Sequence, residues 1–500
     1  MKKNRDFSQK LVKITLIIIL GILTPQISAQ DFETLSSGKI KDVKVEIGTF
    51  LGSWQRNYYG NKAPTKLQTI WRSYLGKGKT VISKKIGEKE WEGSGWTGQP
   101  LLVRENDRLF LIHGSLDHNL KKFDAQTGKI IWQFKFDDVI KGTGTIWQNK
   151  NATTLNESLI ILQGSRRGLK KDLYSKVVPS FRAVSYFTGE ELWRMNVKQT
   201  NSYSRDVDGS AIVLNDTAYI GLENALFTTF SPDPQKAKIK DNLFQPKIYQ
   251  QITLYDKNDI KKHGGNLVVE SSPCLLNNHI YITTGAGHVV GYNLKTNKID
   301  WDFYIGSDID GSPVVTLDSC ILVTVEKQYI EGKGGVFKLD PKKKSEESVV
   351  WYFAVEDDSL ESWAGGIIGS AGVNDLTRRE NEPRLAAFIG IDGFLYVVNH
   401  QKINLKKEKI PGPNLKNTYC VPDLLFKYKL GPSISTPVFV GNKLIAAGYK
   451  GIYIFEIKNG NNFNLIAKRQ ASAFESTPIV FDEKIYIGSK DGFLYCFGQK

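Results

Sequence analysis

The strongest constraint on the fold is a short strand–turn–strand unit that recurs along the chain. In KKFDAQTGKIIWQF, residues 121–134, a first strand ends in Asp and the returning strand carries Trp132. The Thr-Gly step between them forms a tight turn, in which glycine takes a positive φ without steric cost. Similar units surround Trp193, Trp301 and Trp351. A unit that repeats at this spacing predicts an array of similar supersecondary elements.

A second element precedes most of these hairpins. It is a Gly, Ser or Thr step, often before proline, followed by two apolar strands around a polar turn, as in 435–448 and 476–488. Together the two elements give four short antiparallel strands in about 40 residues, which is the size of one propeller blade. Apolar residues alternate or run in fours and fives, and no stretch after residue 30 keeps a helical spacing. The sequence therefore predicts an all-β protein.

Counting these units predicts a single eight-bladed β-propeller of four-stranded antiparallel blades. The last unit stops after three strands, whereas TIWRSYLG near the start, with Trp71, has the pattern of an outer strand without a blade of its own. Pairing that N-terminal strand into the last blade closes the ring and removes two exposed sheet edges. Long polar stretches in the third and sixth units, at 231–251, 376–384 and 404–423, are predicted to be inserted loops. The predicted blades are 97–134, 142–195, 206–268, 269–303, 308–353, 365–430, 431–470, and 474–500 completed by 68–75.

Residues 1–30 have the pattern of a secretory signal peptide, because basic residues precede the apolar run 14–23 and small residues follow it. That run is about half the length that a membrane-spanning helix needs. The predicted segments are therefore a signal peptide (1–30), an N-terminal extension (31–67) and the propeller (68–500). We expect the mature protein to be periplasmic or secreted, monomeric and without an integral membrane span.

The chain is basic, with a net charge of +15 that falls to about +11 without residues 1–30. A basic excess can indicate a nucleic-acid partner. Here, however, the lysines are spread over turns without aromatic residues between them. We interpret them as solvated turn residues and expect no nucleic-acid partner. The lysine-rich turns are 84–89, 236–240, 342–344 and 406–409.

Repeats of Ser-x-Pro-Val-Val, two strands and a tail like Ala-x-Asp-x-x-Thr-Gly-x-x-x-Trp resemble those of the pyrroloquinoline quinone (PQQ)-like repeat propellers, the quinoprotein alcohol dehydrogenase-like superfamily. Residues 122–132 match the tail closely, 183–193 match with Ser185 at the Asp position, and 291–301 have Asn297 in place of glycine. Similar repeats occur in the propeller lipoprotein of the outer-membrane barrel-assembly machinery. The resemblance implies the scaffold and leaves the chemistry open, because one fold serves many functions.

Dehydrogenases of this superfamily would need PQQ with a calcium ion, a catalytic Asp and, typically, a disulfide of adjacent cysteines. None of the four cysteines of this chain neighbours another in sequence, and no CxxCH haem site is present. Cys274, Cys320 and Cys496 lie in apolar strands, where we expect buried thiols. We therefore expect a non-catalytic scaffold of the cell envelope that binds a protein or polar ligand and needs no cofactor. The alternatives are a PQQ-dependent dehydrogenase and a polysaccharide-active propeller enzyme.

Candidate binding residues lie in the loops that lead into the innermost strands. These loops are acidic, and in a propeller they meet the loops between the two middle strands at one mouth of the central channel. Clustered carboxylates suit a hard cation, a polar ligand or a basic partner segment. The simpler interpretation is that each side chain only fixes its own turn. The candidate rim residues are Asp206, Asp208, Glu270, Asp308, Asp310, Glu475, Trp96, His113 and His288, and Trp363 has a position comparable to that of Trp96.

The repeated tryptophans have a structural interpretation. A large ring at the same place in each outer strand is expected to pack between adjacent blades, where its truncation would leave a cavity. We therefore assign these residues to the core and not to a ligand cage. They are Trp71, Trp132, Trp193, Trp301 and Trp351.

Overall fold

The computed structural model describes residues 42–83, 85–96 and 98–500. Eight antiparallel sheets in these residues are arranged as an eight-bladed propeller, so the predicted fold class is confirmed. The predicted signal peptide lies outside the described residues. Among the described residues, no helix has both the length and the apolar character needed to pass through a membrane.

Each blade runs in chain order from its innermost to its outermost strand, except where the N-terminus contributes. The first four strands are β1 (Val43–Ile47), β2 (Gln68–Tyr74), β3 (Lys77–Ser83) and β4 (Gly87–Glu92). Blade 1 contains β5 (Leu101–Glu105), β6 (Arg108–Gly114), β7 (Asn119–Asp124) and β8 (Ile130–Lys135). Blade 2 contains β9 (Thr145–Gln148), β10 (Leu159–Gly164), β11 (Phe181–Ser185) and β12 (Glu191–Met195). Blade 3 contains β13 (Ile212–Leu214), β14 (Thr217–Leu222), β15 (Leu226–Phe230) and β18 (Ile248–Thr253), after the inserted hairpin β16 (Lys238–Lys240) and β17 (Leu243–Gln245).

The second half of the ring follows the same plan. Blade 4 contains β19 (Cys274–Leu276), β20 (His279–Thr283), β21 (His288–Asn293) and β22 (Lys298–Tyr304). Blade 5 contains β23 (Val314–Val315), β24 (Ile321–Val325), β25 (Gly335–Leu339) and β26 (Val349–Ala354). Blade 6 contains β27 (Gly372–Val373), β28 (Leu385–Ile389), β29 (Phe394–Ile403) and β32 (Pro422–Lys429), with the inserted hairpin β30 (Ile410–Pro411) and β31 (Thr418–Tyr419). Blade 7 contains β33 (Val438–Val440), β34 (Lys443–Gly448), β35 (Gly451–Lys458) and β36 (Asn462–Arg469), and blade 8 contains β37 (Ile479–Phe481), β38 (Lys484–Gly488) and β39 (Phe493–Gly498).

Blade 8 is completed by the N-terminal strand β2, as the repeat count predicts. Strand β2 pairs antiparallel with β39, and Trp71 lies opposite Cys496. The sheet order β2-β39-β38-β37 therefore joins the two ends of the propeller in one blade. Strand β1 adds a fifth strand to blade 1, where it pairs with β5.

Two short α-helices correct the expectation of a chain without helices: α1 (Leu155–Ser158) and α2 (Lys257–His263). The carboxylate of Asp256 accepts hydrogen bonds from the backbone N–H groups of Asn258 (2.6 Å) and Asp259 (3.0 Å) at the start of α2. The Asp259 carboxylate accepts one in return from the N–H of Asp256 at 2.7 Å, which completes a capping box. Seven residues are too few for a helical spacing to stand out in the sequence.

The outer-strand tryptophans connect neighbouring blades. Each indole N–H donates a hydrogen bond to a backbone carbonyl of the next blade around the ring, so the ring is held against its neighbour by a polar as well as an apolar contact. The pairs are Trp71 with Ala125 (3.1 Å), Trp132 with Tyr186 (3.0 Å), Trp193 with Pro232 (2.9 Å), Trp301 with Lys343 (3.1 Å) and Trp351 with His400 (2.8 Å).

The Thr-Gly turns lie against these rings. Gly128 has φ +74°, and a Cβ atom there would lie 2.5 Å from a ring carbon of Trp71 in the preceding blade. Gly189 has φ +75° and the same relation to Trp132, at 2.8 Å. Glycine is therefore required at both turns for the backbone conformation and for the close approach of the ring.

The recurring Ser and Thr residues before the inner strands link the blades into a ring. In each of these links the backbone N–H of one blade donates to a hydroxyl oxygen of the next blade, and the side chains are buried. Each of these hydroxyls therefore holds the backbone of the preceding blade, whereas the simpler interpretation of the sequence has each side chain fix only its own turn. The links are Ser210 to Ser272 (2.8 Å), Ser272 to Ser312 (2.8 Å), Ser312 to Ser370 (2.9 Å), Ser370 to Thr436 (3.0 Å) and Thr436 to Thr477 (3.3 Å).

Residues 48–61 lie along the inner strands that surround the channel. Their backbone groups form hydrogen bonds with the inner strands of several blades, so this segment occupies the space between those strands. Part of the predicted N-terminal extension is thus built into the propeller. The bonds include Ile146 N–H to Gly48 O (2.7 Å), Leu275 N–H to Trp54 O (2.8 Å), Val315 N–H to Gln55 O (2.9 Å) and Val480 N–H to Tyr59 O (3.0 Å).

Candidate functional site at the channel mouth

Two groups of three carboxylates lie at the channel mouth, on the loops of blades 3 to 5. We call Asp208, Glu223 and Glu270 the first triad, and Asp308, Asp310 and Glu326 the second triad. In each triad, one carboxylate oxygen from every member lies within 4.8 Å of those of the other two. The structure therefore brings together four of the predicted rim residues and adds two glutamates.

The first triad contains its own positive charge. Lys141, from the loop between blades 1 and 2, is buried, and its Nζ lies 2.6 Å from Oδ2 of Asp208 and 3.7 Å from Oε1 of Glu223. Oδ1 of Asp208 is buried and accepts no hydrogen bond from the described residues. One ammonium thus stands among three carboxylates.

The second triad has no such cation. None of its carboxylates forms an ion pair with a lysine, arginine or histidine of the described residues. Asn266 donates a hydrogen bond from Nδ2 to Oδ2 of Asp308 at 2.7 Å. Oδ1 of Asp308 and Oδ1 of Asn266 are both buried, and neither has a hydrogen-bond partner among the described residues. The second triad is therefore a cluster of carboxylate oxygens with few donors and without an ion-pair partner among the described residues.

Asp206 is paired separately and ties the mouth to the hairpin β3–β4. Its Oδ2 lies 2.7 Å from Nε of Arg166, and Nη1 of Arg166 donates to Oγ1 of Thr80 on β3 at 2.8 Å. The guanidinium carbon of Arg166 also lies 5.5 Å from the ring centre of Trp91 on β4. Burial would raise the pKa of Asp206, but the charges of Arg166 and Lys141 outweigh it and lower that pKa.

Burial raises the pKa of every carboxyl group in the first triad. The Lys141 ammonium opposes this effect, and the neighbouring carboxylates add to it. The pKa of Glu270 reaches about 7, and that of Glu223 stands well above its ordinary value. Burial would lower the pKa of Lys141, but Asp208 and Glu223 raise it well above its ordinary range. The ammonium is therefore charged at every physiological pH.

Burial also raises the pKa of every carboxyl group in the second triad. Burial raises the pKa of Asp308 to about 6, although the hydrogen bond from Asn266 lowers it. Burial, together with the charges of Asp308 and Glu270, raises the pKa of Glu326 to about 9 and that of Asp310 well above its ordinary value. Without a cation, this triad reduces its charge by holding protons.

An aromatic cavity of about 250 Å³ adjoins the first triad at Lys141. The indoles of Trp91, Trp96 and Trp363 line it, and Nζ of Lys141 lies 4.5 Å from the ring centre of Trp96. The indole N–H of Trp96 is buried and has no acceptor among the described residues. Such a cavity suits a ligand group that combines a flat apolar surface with a hydrogen-bond acceptor. The other lining residues are Glu90, Glu92, Ser94, Gly95, Leu116, Glu361, Glu475 and Lys490.

Glu475, a predicted rim residue, lines this cavity and belongs to neither triad. Its Oε1 accepts a hydrogen bond from the hydroxyl of Tyr449 at 2.5 Å and lies 2.5 Å from Nζ of Lys490. Its charge is thus neutralised by a lysine of its own blade.

The two predicted histidines lie apart from the triads. His113 is buried with Nε2 3.1 Å from Oγ of Ser94, and burial lowers its pKa to about 3, so its ring is neutral. His288 is held between Oδ1 of Asp302 (2.9 Å) and Oδ1 of Asp259 on α2 (3.2 Å). His288 therefore belongs to neither triad, because the carboxylates of Asp302 and Asp259 hold its ring.

Glu223, Glu326, Lys141 and Asn266 are the site residues that the sequence analysis missed. Glu223 and Glu326 follow the second strand of blades 3 and 5 directly, in GLEN and TVEK. A glutamate at the same place in two blades is a signal that could have been found. Lys141 and Asn266 have no counterpart in the repeat, and only the three-dimensional structure brings them to the triads.

No family model matches this chain, and no curated protein matches it. Solved structures share its fold. BamB from Moraxella catarrhalis is 14% identical, with 87% of this chain and 98% of that chain covered and a TM-score of 0.50. The computationally designed Ika8 protein is 11% identical, with 88% of this chain and 100% of that chain covered and a TM-score of 0.47. At these identities the likeness to BamB concerns the propeller fold alone.

Proposed function

We propose that the protein is an exported, non-catalytic propeller of the PQQ-like repeat type whose channel mouth binds a divalent cation. The second triad forms the cation site, and the aromatic cavity receives a polar group of a ligand or protein partner. The observation that carries this proposal is a set of three closely spaced carboxylates without a positively charged partner among the described residues.

The contrast between the two triads supports a cation at the second. They have the same number of carboxylates and the same spacing. In the first triad the Lys141 ammonium supplies the positive charge, and in the second a bound ion would supply it. Hard divalent cations prefer carboxylate and amide oxygens, and Oδ1 of Asn266 is an amide oxygen without a partner close to Asp308.

The remaining parts of the proposal have separate support. The role as a binding scaffold is supported by the propeller fold and by the aromatic cavity beside the acidic cluster. Export is supported by the signal-peptide pattern of residues 1–30. The PQQ-like class is supported by the repeated tails with their Thr-Gly turns and tryptophans.

Calorimetric titration of calcium, magnesium and manganese into EDTA-treated protein tests the cation site. We expect one ion per chain, with an affinity that rises from pH 6 to pH 9 because the ion displaces protons from Asp308 and Glu326. The variant Asp308→Asn/Asp310→Asn should bind at least about 100-fold more weakly, which is about 2.7 kcal/mol. Both substitutions keep the side-chain shape and remove repulsion, so the fold should remain intact.

The matched control is Glu346→Gln/Glu347→Gln, which removes the same charge from an exposed 3-10 turn. It should leave the affinity unchanged. The proposal is wrong if none of the three ions binds, or if both double variants bind as tightly as the natural protein.

A further inference from the structure

A second concave surface lies beside the inserted hairpin β16–β17 of blade 3, and it shares no lining residue with the two triads or the aromatic cavity. It is a groove of about 630 Å³ that lies between this hairpin, the end of blade 2 and the outer strand β18. We call it the lysine groove. Its lining residues are Asn196, Lys198, Lys236, Lys238, Lys240, Asp241, Gln245, Pro246, Lys247, Ile248 and Gln251.

Five lysines and a single carboxylate line this groove. All five lysines are exposed, and none has a carboxylate within 4.0 Å among the described residues. The carboxylate of Asp241 accepts hydrogen bonds from the side-chain amides of Asn196 and Gln245, both at 3.4 Å. The groove therefore has an unbalanced positive charge.

Local structure explains why the lysines converge. Lys238 and Lys240 alternate along β16, so they share one face of the hairpin while Ile239 takes the other face. Asp241 and Asn242 form the two-residue turn with positive φ values of 51° and 59°. In the sequence, the lysines of 236–240 have the pattern of a solvated turn, but the fold adds Lys198 and Lys247 from neighbouring elements.

We propose that the lysine groove binds an extended acidic peptide segment of a partner protein. Five ammonium groups along a concave surface match a run of Asp or Glu side chains. Buried Pro246 and half-buried Ile248 give the groove an apolar floor for the carbon chain of such a segment. The volume exceeds what a single inorganic anion fills, and lies in the range of sites for larger ligands.

Two other anionic partners fit less well. Single-stranded nucleic acid is bound by aromatic rings that stack on its bases, and no aromatic residue is among the described lining residues of the groove. An anionic bilayer typically attracts basic clusters beside a membrane-spanning helix or on an amphipathic helix, whereas these lysines line a groove formed by strands and loops. Both partners are included as outcomes of the test.

Fluorescence anisotropy with a labelled decapeptide of alternating Glu and Ala tests the proposal on the full protein. We expect saturable binding that a decapeptide of alternating Gln and Ala does not show. The variant Lys236→Glu/Lys238→Glu/Lys240→Glu should bind the acidic peptide at least about tenfold more weakly, which is about 1.4 kcal/mol. All three residues are exposed, so the variant should fold like the natural protein.

The control Lys342→Glu/Lys343→Glu/Lys344→Glu makes the same change of net charge in a different turn. The affinity of this control for the acidic peptide should stay within a factor of about two. A nonspecific attraction, which depends on net charge, would instead weaken equally in both variants. Equal losses in both variants, or no loss in either, would overturn the proposal. Groove-dependent binding of phosphatidylglycerol vesicles or of an oligonucleotide, with no binding of the acidic peptide, would also overturn it.

Discussion

Replacing Lys141 with methionine should convert the first triad into a copy of the second. Methionine has a similar length but no charge, so the change removes the ammonium that lies 2.6 Å from Asp208. Because the Asp208 side chain is fully buried, its carboxylate would be left without a counter-ion. The folded protein must then bind a proton or a cation in place of the lysine.

The expected loss of stability depends on pH. Breaking a buried ion pair costs about 3–5 kcal/mol. Protonating Asp208 instead costs about 1.4 kcal/mol for each pH unit above its ordinary pKa of 3.8, which is roughly 6 kcal/mol at pH 8 and roughly 2 kcal/mol at pH 5. The variant should therefore lose about 3–5 kcal/mol at pH 8 and no more than about 2 kcal/mol at pH 5.

Urea denaturation in EDTA, followed by tryptophan fluorescence at both pH values, measures this difference. Lys121→Met is the matched control, since Lys121 is also buried and lies 2.6 Å from Oδ2 of Asp117. Asp117 keeps hydrogen bonds from Ser115 (2.6 Å) and Asn119 (2.8 Å) without the lysine. Because these donors and solvent still contact the Asp117 carboxylate, the loss in Lys121→Met should be nearly the same at pH 5 and pH 8.

Calcium adds a second readout to the same variant. With Lys141 removed, both triads offer three carboxylates without a positive partner, so the number of ions bound per chain should rise from one to two. The reasoning is refuted if Lys141→Met is as stable as the natural protein at pH 8, or if its loss is equal at the two pH values.

Two further predictions concern the whole cluster and the blade interfaces. In EDTA, the melting temperature should fall as pH rises from about 5 to about 9. The folded-state pKa values of Glu270 (about 7) and Glu326 (about 9) lie above the ordinary 4.5, so the folded protein holds protons that the unfolded chain has released. Saturating calcium should flatten this dependence of melting temperature on pH, and a melting temperature that rises over the same range would contradict the assigned shifts. Trp193→Ala should cost about 3–5 kcal/mol in urea denaturation because the ring is 1% exposed, whereas the half-buried Trp301→Ala should cost about 1–2 kcal/mol; equal losses would show that burial does not set the contribution of these rings.

The blade count and the closure by β2 are predictable from sequence because each depends on a pattern that recurs. The strand with Trp71 has the form of an outer strand, and the last unit lacks one, so their pairing follows without knowledge of other contacts. The path of residues 48–61 along the inner strands is not predictable in this way. Its backbone hydrogen bonds to several blades impose no pattern on the side chains, and side-chain contacts such as those of Arg56 with Pro273 and Ser210 have no counterpart in the repeat.

The acidic site is predictable only in part, for a related reason. Asp206, Asp208, Glu270, Asp308 and Asp310 precede inner strands, and a propeller brings the starts of its inner strands together. Which of them share one cluster depends on residues from other loops. The sequence analysis could not separate the two triads, because their difference is the single ammonium that the loop between blades 1 and 2 contributes to one of them.

The turn at Asn297 shows that the residue chosen at this position of the repeat depends on contacts across blades. Glycine occupies the turns that lie against Trp71 and Trp132 of the preceding blade, but blade 3 has no tryptophan in its outer strand β18. The turn of blade 4 contacts Gln250 instead. The side-chain amide of Gln250 donates a hydrogen bond to the backbone oxygen of Asn297 at 3.2 Å. The side chain of Asn297 accepts a hydrogen bond from the hydroxyl of Tyr292 at 3.1 Å. Asparagine tolerates the φ of +56° at this turn, and no ring approaches closely enough to exclude a Cβ atom. In blades 1 and 2 the Thr-Gly turn and the tryptophan of the preceding blade therefore form one structural unit. The rings of Trp193, Trp301 and Trp351 instead donate to connections in blades 3, 5 and 6 that have no Thr-Gly turn.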